Sequence, residues 1–228
     1  MSEPLRDLAW RDLPSHARPP LLAVALCRTN PVQFHCGVLF EAEDAHRLLH
    51  LAFHHDLRNE RWDGVGAQYN YWWFATDLSP EAQAAVAAAC ELIVERYLHK
   101  VPAHRIPYGV LYRGASFDPG SGELDLCGAN GLTCATFVFA MFASCGIRLV
   151  DIDVWPHRDE DARWHASVVS LLRTRGADPE HVAAVETEPR CARYRPEEVA
   201  AVAWLGRAVD ALAAIEAGAR ISGVVSLP

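Results

Sequence analysis

The sequence lacks several features that would assign a function class at once. No apolar run approaches the roughly 18 to 20 residues that a membrane-spanning helix needs, so we expect no membrane span. Positive charge is scarce, because 21 Lys and Arg face 29 Asp and Glu, for a formal net charge of −8. Nucleic acid is therefore not an expected partner, since binding to its phosphate backbone requires a basic surface. The N-terminal residues "MSEPLRDLAWRDLP" carry early acids and no apolar segment, so we expect no secretory signal and a cytoplasmic protein.

Signatures of metal and cofactor binding are missing as well. The sequence has no HExxH motif, no phosphate-binding P-loop, no complete dinucleotide-binding loop and no GxSxG nucleophile elbow. Its 7 cysteines include no CxxC pair, which argues against a zinc ribbon or a thioredoxin-type site. An odd number of cysteines without an export signal favours reduced thiols over a disulfide framework. We therefore expect a protein without a cofactor and without a bound metal.

What remains is the composition of an ordinary globular protein. The chain has 228 residues, of which 51% are apolar and 22% charged, and this length suits one sizeable domain. Residues 1–20 are rich in proline and charge and are expected to form an extended arm. Residues 21–158 are expected to form the core, and residues 159–228 a helical extension packed on the same domain.

Hydrophobic patterning predicts an α+β fold. Strands are predicted over residues 21–28, 32–40, 48–55, 69–78 and 147–155. Helices are predicted from Pro80, capped by Ser79, to about residue 99, and over residues 131–146, 159–175, 179–186 and 196–218.

The segment 45–56 fits two structures. As a helix, it would place His46, His50 and His54 on one face. As a strand, it alternates Leu49, Leu51 and Phe53 on one face with His50 and His54 on the other. The apolar alternation favours the strand, and therefore a hairpin with residues 32–40.

Cys134 has the sequence surroundings of a nucleophile. It follows a long glycine-bearing loop, residues 103–130, and falls in the first turn of a predicted helix that Thr133 can cap. The free N–H groups and the positive dipole end of a helix N-terminus stabilise a thiolate and lower its pKa. The same N–H groups can bind the oxyanion that forms when a thiolate attacks a carbonyl. The alternative is a buried helix cysteine like Cys145, which lies in the same apolar run.

A nucleophilic thiol also needs a base, and His35 and His50 are the best placed of the 11 histidines. Both lie inside apolar strand segments, on the two sides of the predicted hairpin. An even number of residues in the connecting loop, as in residues 41–44, would place both side chains on one face of the sheet. One imidazole can then take the thiol proton while the other orients the first.

These segments resemble a known superfamily. "HCGVLFEAEDAHRLLHLA" (35–52) is similar to the H-x-G-[IV]-Y and V-[IV]-H-L hairpin of the lecithin:retinol acyltransferase-like proteins, and "GLTCATFVFAMF" (131–142) is similar to their N-C-x-x-F-V helix start. These proteins belong to the circularly permuted branch of the NlpC/P60, papain-like superfamily, in which two histidines precede the cysteine. The resemblance covers residues 32–56 and 128–155. It implies a papain-like core, with an antiparallel sheet packed against the nucleophile helix and the C-terminal helices as additions.

The resemblance also implies roles for individual residues. Cys134 matches the nucleophile, His35 the base and His50 the orienting third residue, although Thr133 stands where the family often has Asn. The implied activity is that of a cysteine hydrolase or acyl-transferase, acting through a thioester on a peptide, protein or acyl-ester substrate, with amide cleavage as the first choice. We expect residues 108–130 to line or cover the cleft. The candidate substrate-binding residues are Thr133, Asn130, Asp125 and Trp72.

Three alternatives remain open at this point. The unpermuted order would make His165, in "RWHASVVSLL", the base. A histidine cluster with one acid is a possible metal site: His46, His50, His54, His55 and Asp56. The third alternative is that the chain is a non-catalytic interaction module. Its partner would then contact an aromatic stripe formed by Tyr69, Tyr71, Trp72, Trp73 and Phe74.

Overall fold

Five antiparallel strands form the sheet on which the chain is built. The computed structural model describes residues 19–43, 45–63, 71–100, 105–205 and 210–225. The strands lie in the order β4-β3-β2-β1-β5 and comprise β1 Leu22–Asn30, β2 Gln33–Ala42, β3 Ala45–Phe53, β4 Asp56–Arg61 and β5 Trp72–Ala75. A separate short ribbon pairs β6 (Ser116–Phe117) with β7 (Leu124–Asp125). Most of the expected N-terminal arm, residues 1–18, lies outside the described residues, as does Tyr69.

The described residues also contain six α-helices. They are α1 Pro80–Val94, α2 Cys134–Ala143, α3 Asp161–Thr174, α4 Pro179–Glu186, α5 Pro196–Leu205 and α6 Ala211–Val224, and α1 continues as a π-helix over Glu95–Lys100. Sheet and helices together confirm the predicted α+β class. Within the described part of the chain, no helix is both long and apolar enough to cross a membrane.

The main hydrophobic core lies on one face of the sheet, beneath α1, α2 and α5. Leu22, Val24 and Leu26 of β1 point into it, because alternate strand residues share a face. Helix α2 is buried along all of residues 134–142, so it is a central element of the core rather than a surface helix. Packing on every side therefore fixes the position of its first residue, Cys134.

The segment 45–53 is a strand, as its apolar alternation predicted. Strands β2 and β3 pair from Ala42 opposite Ala45 to Val38 opposite Leu49, which leaves a two-residue loop between them. Beyond Val38 and Leu49 the ladder stops, although β2 reaches back to residue 33 and β3 runs on to residue 53. The two strands therefore separate at this end of the sheet.

Three sequence predictions about secondary structure were wrong. Strand β4 was not predicted, because "DLRNER" has neither apolar alternation nor a turn glycine before it. Residues 147–155, all of them described, form no strand. There Asp151 accepts a hydrogen bond from the N–H of Asp153 (3.1 Å), and such a local turn competes with strand pairing. The helix predicted over 196–218 is two helices, α5 and α6, with residues 206–209 outside the described residues.

Candidate active site

The β2–β3 hairpin brings His35 and His50 into direct contact. Both side chains lie on the sheet face opposite the main core, and His35 Nε2 is 2.7 Å from His50 Nδ1. Gly37, which lies between them on β2, makes this contact possible. A Cβ atom on Gly37 would come within 2.6 Å of the His50 Cβ and 2.8 Å of the Leu49 carbonyl oxygen. Only glycine leaves the space in which His50 lies across β2.

Glu60 of β4 extends the pair to a third residue. His50 Nε2 is 2.7 Å from Glu60 Oε2, because residues 56, 58 and 60 share a sheet face with His50. A carboxylate only accepts hydrogen bonds, so His50 Nε2 carries the proton and His50 Nδ1 accepts from His35 Nε2. His35 Nδ1 is then the nitrogen that is free to take a proton. Burial and the neighbouring charge of His35 lower the pKa of His50 to about 4, so His50 stays neutral in this chain of hydrogen bonds.

Cys134 begins α2, at the end where β2 and β3 separate. The Thr133 hydroxyl accepts from the N–H of Thr136 (3.1 Å), and the Thr136 hydroxyl accepts from the N–H of Thr133 (2.8 Å). This reciprocal cap fixes the first turn of the helix. The Cys134 sulfur is thereby held against β2, where it contacts the Cys36 thiol, the Cys36 N–H and the His35 ring.

These contacts activate the Cys134 thiol. A hydrogen bond from the Cys36 thiol, followed by the positive charge and hydrogen bond of His35, lowers the pKa of Cys134 well below its ordinary value, against the opposing effect of burial. Burial raises the pKa of Cys36, so Cys36 remains a protonated donor. A free cysteine on the surface behaves differently: burial and the nearby Asp125 raise the pKa of Cys127. Of these three thiols, Cys134 is the one whose pKa is lowered.

Tyr108 lies beside Cys134 on the other side. Its hydroxyl lies near the backbone N–H of Cys134, at the start of α2; burial raises the pKa of this hydroxyl, and the N–H tends to lower it against that larger effect. Two histidines hold its backbone: the N–H of Tyr108 donates to His54 Nδ1 (3.1 Å), and His181 Nε2 donates to its carbonyl oxygen (2.9 Å). The Tyr108 ring also packs on Phe53, with ring centroids 5.0 Å apart.

A cavity of about 450 Å³ opens at Cys134. His35, His50 and Tyr108 line it on the sheet side, and Trp164, Val168 and Leu171 of α3 form an apolar wall. Cavities of this size hold small molecules or a few residues of a peptide. The helical C-terminal third thus contributes directly to the space in front of the thiol.

The other predicted site residues do not line this cavity. Thr133 is buried and its hydroxyl is committed to the helix cap. Asn130 donates to Glu188 Oε1 (3.0 Å), and Asp125 lines a different cavity, beside Pro119. Trp72 packs against the main core.

The expectation that residues 108–130 cover the cleft was wrong beyond Tyr108. The β6–β7 ribbon in this segment packs near the far end of α2, where the N–H of Phe117 donates to Ser144 Oγ (2.7 Å). The Phe117 ring also packs on the Phe137 ring, with centroids 5.9 Å apart, and neither strand of the ribbon lines the Cys134 cavity.

The unpermuted order and the metal site find no geometric support. His165 Nε2 donates to the Val185 carbonyl oxygen (2.8 Å), and His165 does not line the Cys134 cavity. Of the candidate metal ligands, His46 hydrogen-bonds the Pro20 carbonyl oxygen (3.2 Å), while His54 stacks on His55. Among the described residues, no group of three or more His, Cys, Asp and Glu side chains is arranged to hold a metal ion.

Sequence reasoning missed two residues of the site. Glu60 lies on strand β4, which was not predicted from the sequence. The one signal for this strand is that the charged residues Asp56, Arg58 and Glu60 alternate after a tight turn, which is typical of a polar strand face. Tyr108 sits in a loop, and its contact with Cys134 depends on the positions of His54 and His181, which are distant in sequence.

Comparison with known proteins does not assign the chain to a family: no family model, no curated protein and no solved structure matches it.

Proposed function

We propose that this chain is a thiol hydrolase or acyl-transferase that acts through a thioester on Cys134. One observation carries the proposal: hydrogen bonds of 2.7 Å join His35 to His50 and His50 to Glu60, and the His35 ring lies beside Cys134 at a helix N-terminus. A nucleophile, a base and groups that orient the base are the parts that covalent acyl transfer requires.

In the proposed reaction, His35 Nδ1 takes the thiol proton and the Cys134 thiolate attacks the carbonyl carbon of an amide or ester. The resulting oxyanion lies at the N-terminus of α2, where the positive end of the helix dipole stabilises negative charge. When the bond to the leaving group breaks, His35 returns the proton to the departing nitrogen or oxygen, and a thioester remains. Water then releases a carboxylic acid, or an acceptor takes the acyl group. His50 and Glu60 act as positioning residues, because they hold His35 in one tautomer.

A papain-like core in the permuted order is part of this proposal. It is supported by the antiparallel sheet against α2 and by the chain order of two histidines followed by the cysteine. Peptide or isopeptide amides are the first substrates to test, and acyl esters the second. We further propose that the protein works in the cytoplasm, because Cys134 and the other cysteines are free thiols and a reducing compartment keeps them so.

The test is the alkylation rate of each thiol with iodoacetamide as a function of pH, followed by peptide mass spectrometry. Cys134 should label faster than exposed Cys127 at neutral pH, although Cys134 is only 8% exposed. His35→Ala should slow Cys134 labelling about 10²-fold or more, since the base is removed. His50→Ala should have a smaller effect, and His50→Asn should restore part of the rate.

His165→Ala is the matched control, since that ring lies in α3, bonds the Val185 carbonyl oxygen and does not line the Cys134 cavity. Its labelling profile should equal that of the wild type. If Cys134 labels no faster than Cys127, the proposal is wrong. If His165→Ala abolishes the fast labelling while His35→Ala leaves it intact, the assignment of the base is wrong.

A further inference from the structure

One face of α3 forms an apolar wall of the Cys134 cavity. Trp164, Val168 and Leu171 follow the i, i+4, i+7 spacing of a single helical face, and all three line the cavity. We name these three residues the α3 stripe. Val168 is buried, whereas Leu171 is 40% exposed and therefore presents apolar surface to a molecule that enters the cavity.

Arg175 continues this face at the C-terminal end of α3. Its backbone N–H still donates to the Leu171 carbonyl oxygen (2.9 Å), so the chain keeps its helical path one residue beyond the helix. Arg175 stands eleven residues after Trp164, which is close to three full turns, and it therefore lies on the same face. The side chain is exposed and lines the cavity. The α3 stripe thus ends in a cation.

The other charged side chains that line the cavity on its sheet side are already paired. Arg58 donates two hydrogen bonds to Asp56, of 3.0 Å and 2.7 Å, and Glu60 bonds His50 Nε2 at 2.7 Å. Within the part of the chain that the structure describes, the Arg175 guanidinium forms no hydrogen bond and no ion pair. A guanidinium carries five N–H donors, so Arg175 is the cation of this cavity that is left to bind a ligand.

The spacing of the stripe and the cation fits an extended chain. Arg175 lies four residues after Leu171, which is about 6 Å along the axis of a helix. Side chains two residues apart in an extended peptide share a face and are separated by roughly 6 to 7 Å. The group that suits Arg175 is a carboxylate, because two parallel N–H donors of a guanidinium match its two oxygens.

We infer that the Cys134 cavity takes an extended peptide whose apolar side chain lies on the α3 stripe and whose acidic group, two residues further along, pairs with Arg175. Leu171 and Arg175 are then the specificity-determining residues. This inference rests on the proposed function, since it names the substrate class of the same thiol.

The test uses three alkylating reagents with the same reactive group. The first is iodoacetamide; in the second and third, its nitrogen carries an arm of five methylene groups that ends in a neutral carboxamide or in a carboxylate. Each reagent forms a carbon–sulfur bond to the thiolate and releases iodide. Rate ratios at Cys134 cancel the thiol pKa, and the same ratios at Cys127, which is exposed and does not line the cavity, correct for differences in intrinsic reactivity.

Two ratios are expected to exceed one in the wild-type protein. The carboxamide arm should react about tenfold faster than iodoacetamide, because several methylene groups are buried against the stripe. The carboxylate arm should react about threefold faster than the carboxamide arm, as expected for an exposed ion pair, and 1 M NaCl should remove this advantage. If either ratio at Cys134 equals the ratio at Cys127, the inference is overturned.

The variants assign the two ratios to residues. Leu171→Ala should lower the first ratio about threefold and leave the second unchanged. Arg175→Gln should abolish the second ratio and leave the first unchanged, whereas Arg175→Lys should retain part of the second. Both side chains are exposed, so the variants should fold, which circular dichroism checks. Wild-type ratios in Leu171→Ala or in Arg175→Gln overturn the inference.

Two matched controls lie outside the cavity. Arg173→Gln removes the same charge from α3, but Arg173 pairs with Glu186 at 2.5 Å and does not line the cavity. Leu212→Ala truncates an exposed leucine of α6, which does not line it either. Both should keep the wild-type ratios, and a change in them as large as in the matching cavity variant overturns the assignment.

The two proposals fail in distinguishable ways. The proposed function fails if iodoacetamide, the reagent without an arm, finds no privileged thiol. The substrate class fails alone if Cys134 is privileged but the arm and its charge do not change the rate.

Discussion

Replacing Gly37 by alanine should disrupt the hydrogen-bonded histidine pair without removing any of its members. The new Cβ would lie 2.6 Å from the His50 Cβ, 2.8 Å from the Leu49 carbonyl oxygen and 2.9 Å from Leu48 Cδ1. Two of these neighbours are a backbone atom and a Cβ, which cannot turn away as the end of a flexible side chain would. Strand β3 must therefore move away from β2, and His50 must move with it.

The size of the effect follows from two contributions. Inserting a methyl group into a packed region costs about 1–3 kcal/mol. Losing the His35–His50 hydrogen bond adds about 1 kcal/mol. We therefore expect the free energy of unfolding of Gly37→Ala to fall by about 2–4 kcal/mol. The pKa of the Cys134 thiol should rise, because His35 loses the group that orients it.

Urea denaturation measures the first quantity, and the pH dependence of Cys134 alkylation in the folded protein measures the second. Gly223→Ala in α6 is the matched control. A Cβ there meets nothing within 4 Å, so the helix should gain up to about 1 kcal/mol and the thiol should not change. A Gly37→Ala protein with wild-type stability and a wild-type thiol pKa would refute the role assigned to this glycine.

Three further predictions concern charged groups. Glu60→Gln keeps an acceptor for His50 but removes the charge, so the pKa of the Cys134 thiol should rise by up to about one unit, and Glu60→Ala should raise it more. The pH dependence of Cys134 alkylation measures this pKa, and wild-type values in both variants would contradict the prediction. Burial lowers the pKa of His50 and of His54 from 6.5 to about 4, so between these pH values the unfolded chain binds protons that the folded chain does not. The free energy of unfolding should therefore fall as the pH drops from 6.5 to 4, by at most about 3 kcal/mol for His50 and by less for the more exposed His54, and urea titrations without such a slope would disprove it. Glu188→Ala should lower the free energy of unfolding, measured by urea denaturation, by about 3 kcal/mol or more, because buried Glu188 accepts hydrogen bonds from three backbone N–H groups and one side-chain amide. A decrease of less than about 1 kcal/mol would contradict that role.

The local parts of the site could be predicted from sequence. The even loop between residues 42 and 45 fixes which side chains of β2 and β3 share a face, so His35 and His50 could be paired before any coordinates were known. The start of α2 could be placed at Cys134, because a capping threonine followed by an apolar run marks a helix N-terminus by short-range rules.

The remaining parts depend on contacts between distant segments. Glu60 lies on a strand with no apolar pattern, held by its neighbour β3 rather than by its own propensity. Asn130 looked like a substrate contact because it precedes the nucleophile, but its amide is needed to anchor the loop to Glu188.

The separation of β2 from β3 has a consequence for the order of events during synthesis. The ribosome delivers His35 and His50 first, Cys134 much later, and α5, which packs against β1 and α2, near the end. Until α2 docks at the gap between the strands, neither Cys36 nor His35 is near the sulfur, and Cys134 has the acidity of an ordinary thiol. Before that point Cys134 does not attack carbonyl groups faster than an ordinary thiol. The appearance of fast alkylation at Cys134 would therefore report that α2 has docked on the sheet.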